Sequence, residues 1–266
     1  MAFVFKNKII WITGASAGIG SALAVQLSQK GARLILSGRD EQRLKRVVQV
    51  CSNPERHTVL AFDLADPMSV QTALTHVIQQ FTYVDVLINN AGVSQRALAA
   101  DTRSKTDREL MEINFFAPIA LTKGLLPIMQ KRRQGYVVAV ASVMGKVATQ
   151  YRSTYSASKH ALLGFMNSLR AENADKGIAV TVVCPGFVRT GMSEKALTAD
   201  GDQHGHMDES TAQGIMPPEC AAAIIRAMQK QQHEVLIAKG KPLFAWYLNR
   251  FSPSLARMFV QRVRID

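Results

Sequence analysis

The five residues Tyr155-Ser156-Ala157-Ser158-Lys159 offer the most specific chemistry in this sequence. On a helix, side chains four positions apart share a face, so Tyr155 and Lys159 point the same way. A free phenol has a pKa of about 10 and is a poor acid–base group at neutral pH. A cation one turn away favours the phenolate and lowers that value, which suits a tyrosine to proton transfer at a carbonyl oxygen. Ser142 lies thirteen residues upstream, at the end of an aliphatic run. Taken alone, a Tyr and a Lys at this spacing also fit a solvated helix face.

A second motif sits near the N-terminus. Thr13-Gly14-Ala15-Ser16-Ala17-Gly18-Ile19-Gly20 follows an apolar run and opens an amphipathic stretch. Glycines at such a strand–turn–helix junction let backbone N–H groups approach a pyrophosphate, whose charge the helix N-terminus favours. The spacing here is Gly-x-x-x-Gly-x-Gly, and glycine triplets also occur in ordinary turns. After the second aliphatic run, where an acidic residue would meet the ribose 2′-hydroxyl of NAD, the chain has Ser37-Gly38-Arg39. A guanidinium there suits a 2′-phosphate, so NADP(H) is expected in preference to NAD(H). The competing reading is a surface arginine beside a helix that Asp40 caps.

The elements that must position these groups are legible as an alternation. Aliphatic runs at Ile9–Thr13, Arg33–Ser37, Thr58–Phe62, Val84–Ile88, Tyr136–Val140, Ala179–Cys184 and Glu234–Ala238 read as strands. Between them, apolar residues three and four apart mark helices, as in Val70-Ala73-Leu74-Val77, Leu110 to Met129, and Ala161-Leu162-Phe165-Leu169. This rhythm predicts an α/β chain: a doubly wound Rossmann fold with a seven-stranded parallel sheet flanked by helices. No linker interrupts it, so residues 1–266 are expected to form one domain. The segment 190–217, rich in Gly, Asp, His and Ser, reads as a mobile loop around a short helix, and 241–266 reads as a tail.

The 266 residues are 47% hydrophobic, enough for a substantial core, and their formal net charge of +12 would attract phosphate groups, acidic proteins or an anionic membrane. Basic residues are scattered rather than interleaved with aromatics, so no nucleic-acid partner is expected. Cys51, Cys184 and Cys220 have neither metal-ligand spacing nor an even count, which points to a reducing compartment. The apolar start at Phe3-Val4-Phe5 is too short for a signal peptide, and no run reaches membrane-spanning length. A cytoplasmic location follows, with membrane association through the tail as its variant. His204 and His206 could bind a metal, but their polar Gly/Asp setting favours a solvated segment, and no metal is expected.

With Asp63-Leu64, Asn89-Asn90-Ala91-Gly92, Asn114, and Pro185-Gly186 followed by Thr190 added to these motifs, the chain resembles the short-chain dehydrogenase/reductase (SDR) family over nearly its whole length. The resemblance implies a catalytic set of Asn114, Ser142, Tyr155 and Lys159. Tyr155 would protonate the carbonyl oxygen, Ser142 would polarise it, Lys159 would bind the nicotinamide ribose and lower the tyrosine pKa, and Asn114 would hold a relay water. It further implies cofactor contacts from Gly14, Ser16, Ala17, Gly18, Ile19 and Gly20; from Ser37, Arg39, Asp63 and Leu64; from Asn90, Ala91 and Gly92; and from Pro185, Gly186, Val188 and Thr190. One departure is Ala17, where many NADP-dependent relatives carry Lys or Arg, which leaves the 2′-phosphate to Arg39.

The substrate pocket implied by the resemblance lies between the loop after Thr190, the residues Val93, Ser94 and Gln95, and those following Ser142. Met144, Val147, Met192 and Met216 suggest an apolar lining able to take varied shapes. Ser142, Met144, Tyr155 and Met192 would touch a small-molecule carbonyl or alcohol, probing lipophilic ketones and acyl chains. The tail joins aromatics to Arg250, Arg257, Arg262 and Arg264, opposed only by Asp266; such a helix can lie at a membrane interface, cover the domain, or contact another subunit. A homodimer or homotetramer paired through 110–129 and 155–173 is expected from the family. The leading reading is an NADPH-dependent ketone or aldehyde reductase. A 3-oxoacyl-carrier-protein reductase is its nearest competitor, and an inactive cofactor-binding regulator is the alternative from another class.

Overall fold

A computed structural model describes residues 2–262. Its strands are β1 (Ile9–Thr13), β2 (Arg33–Gly38), β3 (Thr58–Ala61), β4 (Val86–Asn89), β5 (Gly135–Val140), β6 (Ile178–Pro185) and β7 (Glu234–Ile237). They pair in the order β3-β2-β1-β4-β5-β6-β7, parallel at every junction. The doubly wound Rossmann sheet expected from the alternation is therefore present, with strand ends shifted by one or two residues. The sheet continues as one body to β7.

Helices α1 (Gly18–Gln29), α2 (Glu41–Gln49) and α8 (Pro217–Gln229) cover one face. Leu23, Leu27, Leu44, Ile224 and Met228 pack there against Ile10, Ile12, Leu34 and Val183. The other face is covered by α3 (Pro67–Phe81), α5 (Ala117–Arg132) and α6 (Ser153–Glu172), through Leu74, Leu121, Leu125, Leu162 and Met166. Strands buried on both faces need continuous aliphatic runs, which is why their periodicity is so plain in the sequence. The strand order reverses between β1 and β4. That switch leaves a crevice at the carboxyl ends of the strands, where ligands of open α/β sheets bind.

Two expectations need correction. The single helix expected over 110–129 is instead α4 (Ser104–Met111), a π-helical turn at Glu112–Phe116, and then α5. A π turn inserts an extra residue into the helical ladder, and such insertions cluster at functional positions. This one contains Asn114. Second, the segment 190–217 carries the expected short helix but is tied into the fold rather than loose. It contains α7 (Glu209–Ala212), is bridged at Gln95–Leu197 and Val188–Ile215, and buries Ser193, Ala196, Asp208 and Thr211. Ser193, Asp208 and Thr211 are hydrogen-bonded inside the fold, which composition alone does not reveal.

The tail folds as α9 (Lys241–Phe251) and α10 (Pro253–Arg262), packed together through Phe244 and Phe259. Asn249 donates a hydrogen bond to the Lys146 carbonyl at 2.9 Å, tying the pair to the segment after β5. Arg264 and Asp266 lie outside the described residues. No helix among the described residues is long and apolar enough to cross a membrane.

Candidate active site

At the carboxyl ends of β1 and β4, the main chains come too close for side chains. Gly14 has φ +65°, and a Cβ there would fall 2.7 Å from the Ala91 Cα, so glycine is required on both counts. Asn90 clips the two loops together, its Nδ2 donating to the Thr13 carbonyl at 2.9 Å and the Gly14 carbonyl at 3.2 Å. Thr13 Oγ1 accepts the Asn90 and Ala91 N–H groups from the other side. Gly20 packs behind this junction, against Gly14 and Asn90. Asn90 is thus a structural clip as well as a wall of the cleft.

Helix α1 starts at this point with no side-chain cap and no acidic residue in its first turn. Its first N–H groups therefore lack the usual internal acceptor and are available to an anion. Ser16, Ala17, Gly18 and Ile19 line the cleft there, with Arg39 and Asp63 further along its wall. Among the described residues Arg39 has no carboxylate partner, and it is exposed. Asp40 does cap α2, accepting the Arg43 N–H at 2.9 Å, so the cap and an available arginine coexist. Ser37 reaches the cleft too, although its hydroxyl accepts a hydrogen bond from Trp11 Nε1. Asp63 does not cap α3, because Asp66 does; its Oδ1 instead accepts the Ala65 N–H and turns the chain into the cleft wall.

The cleft, about 520 Å³, continues past Gly92 to Ser142, Tyr155 and Lys159, with Pro185, Gly186, Val188 and Thr190 on the opposite side. Lys159 is 2% exposed; its Nζ donates to the Val140 carbonyl at 3.2 Å and stands 5.8 Å from the centre of the Tyr155 ring. Gly92 leaves room for it, since a Cβ there would meet Asn114 Oδ1 at 3.0 Å and Lys159 Nζ at 3.2 Å. The Asn114 side chain is fully engaged. It accepts from the Val93 N–H and donates to the Val93 carbonyl and Ser158 Oγ, so it ties the segment after β4 to α6 at the floor of the site.

Burial dominates the electrostatics of the Tyr155–Lys159 pair. Burial pushes the Tyr155 phenol above its usual value, opposed by the Ser142 hydroxyl and then by Arg152 and Arg96. Burial likewise lowers Lys159, to about 8. At both positions the cost of desolvating the charge exceeds the interactions that favour it. The phenol is consequently held in its protonated, proton-donating form at neutral pH.

Some residues take a place in the site that the sequence does not indicate. Gln95 was expected to line the substrate pocket but is fully buried; its Oε1 accepts the Thr154 and Tyr155 N–H groups at 2.9 and 3.1 Å and so caps the helix that carries Tyr155. Arg96 and Arg152 line the cleft and share the buried carboxylate of Asp208. Met144, Val147 and Met192 face the cleft as expected. Met216 does not: it is exposed at the start of α8. Ala245, Phe259 and Val260 of the tail form part of the cleft wall, so α9 and α10 do cover the domain. All three cysteines are buried and free, and no group of three metal-ligating side chains occurs among the described residues.

Residues 8–201 match the family model described as short chain dehydrogenase. The chain is 42% identical over 267 residues to dehydrogenase/reductase SDR family member 7B of Bos taurus, covering 97% of this chain and 82% of the relative. A crystal structure of a short-chain dehydrogenase from Streptomyces avermitilis matches with a TM-score of 0.82 and 29% identity over 95% of each chain. A metagenomic short-chain oxidoreductase solved with NADP matches with a TM-score of 0.72 and 27% identity, over 88% of this chain and 98% of that one. A Burkholderia phymatum protein solved with NAD shares the fold, with a TM-score of 0.82 at 23% identity over 99% of this chain and 98% of that one.

Proposed function

Because this chain belongs to the short-chain dehydrogenase/reductase family, we propose that it is an NADP(H)-dependent oxidoreductase that reduces a lipophilic ketone or aldehyde, or oxidises the matching alcohol. The observation that carries this reading is the convergence of Ser142, Tyr155 and Lys159 on one cleft with the uncapped N-terminus of α1. That terminus and the close approach at Gly14 suit a pyrophosphate. A bound nicotinamide cofactor supplies the hydride chemistry. In our reading Lys159 holds the ribose, Ser142 donates a hydrogen bond to the substrate oxygen, and Tyr155 delivers the proton to that oxygen. Asn114 and Gln95 act one step back, fixing the loop after β4 and the start of α6. A phenol kept protonated by burial is suited to donate a proton to a carbonyl oxygen.

The cofactor preference rests on Arg39. Arg39→Ala is expected to weaken NADPH binding by about 10- to 100-fold, the worth of a charge-assisted hydrogen bond, while NADH binding changes little. Fluorescence titration with each nucleotide measures both; equal losses would remove Arg39 from the 2′-phosphate.

For the tail we propose contact with an anionic membrane surface. Phe244, Tyr247, Phe251, Leu255 and Met258 are exposed, and residues 241–262 contain Lys241, Arg250, Arg257 and Arg262 but no acidic residue. The protein is expected to float with vesicles containing phosphatidylserine and not with neutral ones. Absence from both would discard this contact.

A further inference from the structure

Arg96, Arg152 and Asp208 form a cluster beside Tyr155 that the proposed reaction does not use. Arg96 comes from the segment after β4, Arg152 immediately precedes α6, and Asp208 immediately precedes α7. The Asp208 side chain has no exposure to solvent. Its Oδ1 accepts from Arg96 Nε at 3.2 Å, and its Oδ2 accepts from Arg96 Nη2 and, at 3.4 Å, from Arg152 Nη2. Thr211 Oγ1 also donates to it at 3.4 Å. His204 Nε2 lies 3.7 Å away, and burial together with His206 and Arg96 biases that imidazole toward its neutral form.

One carboxylate thus serves two guanidinium groups. Arg96 is well satisfied, because its Nη1 also donates to Ser94 Oγ and the Gln95 carbonyl. Arg152 is not: its side chain is 2% exposed, its link to Asp208 is long, and its Nη1 has no hydrogen-bond partner. A buried cation without full pairing is costly, and a planar guanidinium fork matches the oxygens of a carboxylate or phosphate. Arg152 also lines the same cleft as Ser142 and Tyr155. A ligand anion there would complete the charge balance that Asp208 leaves unfinished.

We propose that Arg152, held in place by Asp208 and Arg96, is the subsite for an anionic oxygen group on the substrate, so that the preferred substrate is a lipophilic carbonyl compound bearing a carboxylate or phosphate. This rests on the reductase reading and narrows its substrate class. The apolar walls at Met144, Val147 and Phe259 take the hydrocarbon part, and Arg152 fixes the charged end.

Matched pairs test it: medium-chain oxo acids against their methyl esters, and a ketone phosphate monoester against its dimethyl ester. Each is titrated calorimetrically into the protein with and without NADP(H). In the wild type the charged member of a pair is expected to bind about 10- to 100-fold more tightly, the range of a hydrogen bond to a charged group. In Arg152→Gln that ratio should collapse toward one, and in Arg152→Lys it should persist in reduced form. The pair with the larger ratio identifies the group held. Equal affinities within both pairs in the wild type, or a ratio unchanged in Arg152→Gln, overturn the proposal. The wild-type comparison decides even if Arg152→Gln does not fold. Because binding is read directly, tight binding of the acids without turnover would count against the reductase reading and leave the anion subsite standing.

Discussion

Tyr155→Phe is expected to lower carbonyl reduction by about 10²- to 10⁴-fold, the usual contribution of a positioned general acid, while leaving NADPH affinity nearly intact. The change removes one oxygen. The ring remains within a wall built by Ser142, Met144 and Val147, and the cap from Gln95 acts on backbone N–H groups that the substitution retains. Packing and cofactor contacts should therefore survive. Single-turnover oxidation of NADPH, measured alongside a binding titration, separates the two effects. Turnover within threefold of the wild type would mean that Tyr155 is not the proton donor.

Lys159→Met should move activity and stability in opposite directions. Turnover is expected to drop by at least about a hundredfold, because the ribose contact and the charge near the reacting oxygen are both lost. The cofactor-free protein should become more stable. The buried ammonium has a folded pKa of about 8 against an ordinary value of 10.5. Below pH 8 the folded protein bears the full desolvation cost of that charge. Between about 8 and 10.5 the unfolded chain holds a proton that the folded chain has released, so wild-type stability rises with pH across this window. A shift of this size corresponds to roughly 3 kcal/mol, from which the hydrogen bond to the Val140 carbonyl must be subtracted. A net gain of about 1–3 kcal/mol at neutral pH, or roughly 2–6 °C in Tm, is expected for Lys159→Met. The rise in stability between pH 8 and 10.5 should also flatten. Thermal unfolding across that range checks both, and a lower Tm for the variant at neutral pH would show that the Lys159 charge is well compensated in the fold.

The parts of this fold that the sequence announces are those governed by local rules. A strand buried on both faces must be aliphatic throughout, and a turn pressed against a neighbouring chain must be glycine, so β1, Gly14 and the start of α1 can be read from adjacent residues. Tyr155 and Lys159 are legible because helical spacing alone places them together. What stays hidden depends on partners far apart in the chain. Arg96 and Asp208 are separated by 112 positions, and either one alone looks like a solvated surface charge. Gln95 looks like a pocket residue until its contact with α6, sixty positions away, is seen. The polar segment 190–217 suggests mobility for the same reason: its buried Asp208 and Ser193 are satisfied by residues that composition does not connect to them. The raised phenol of Tyr155 is likewise not legible from spacing, since the burial that raises it is set by the whole cleft.

The most direct test of the central claim is to mix the purified protein with NADPH and a panel of lipophilic ketones and follow the nicotinamide absorbance together with alcohol formation, with NADH run in parallel. NADPH is expected to be consumed in equal measure with the alcohol formed, and faster than NADH. A protein that neither binds nor oxidises NADPH under these conditions would contradict that claim.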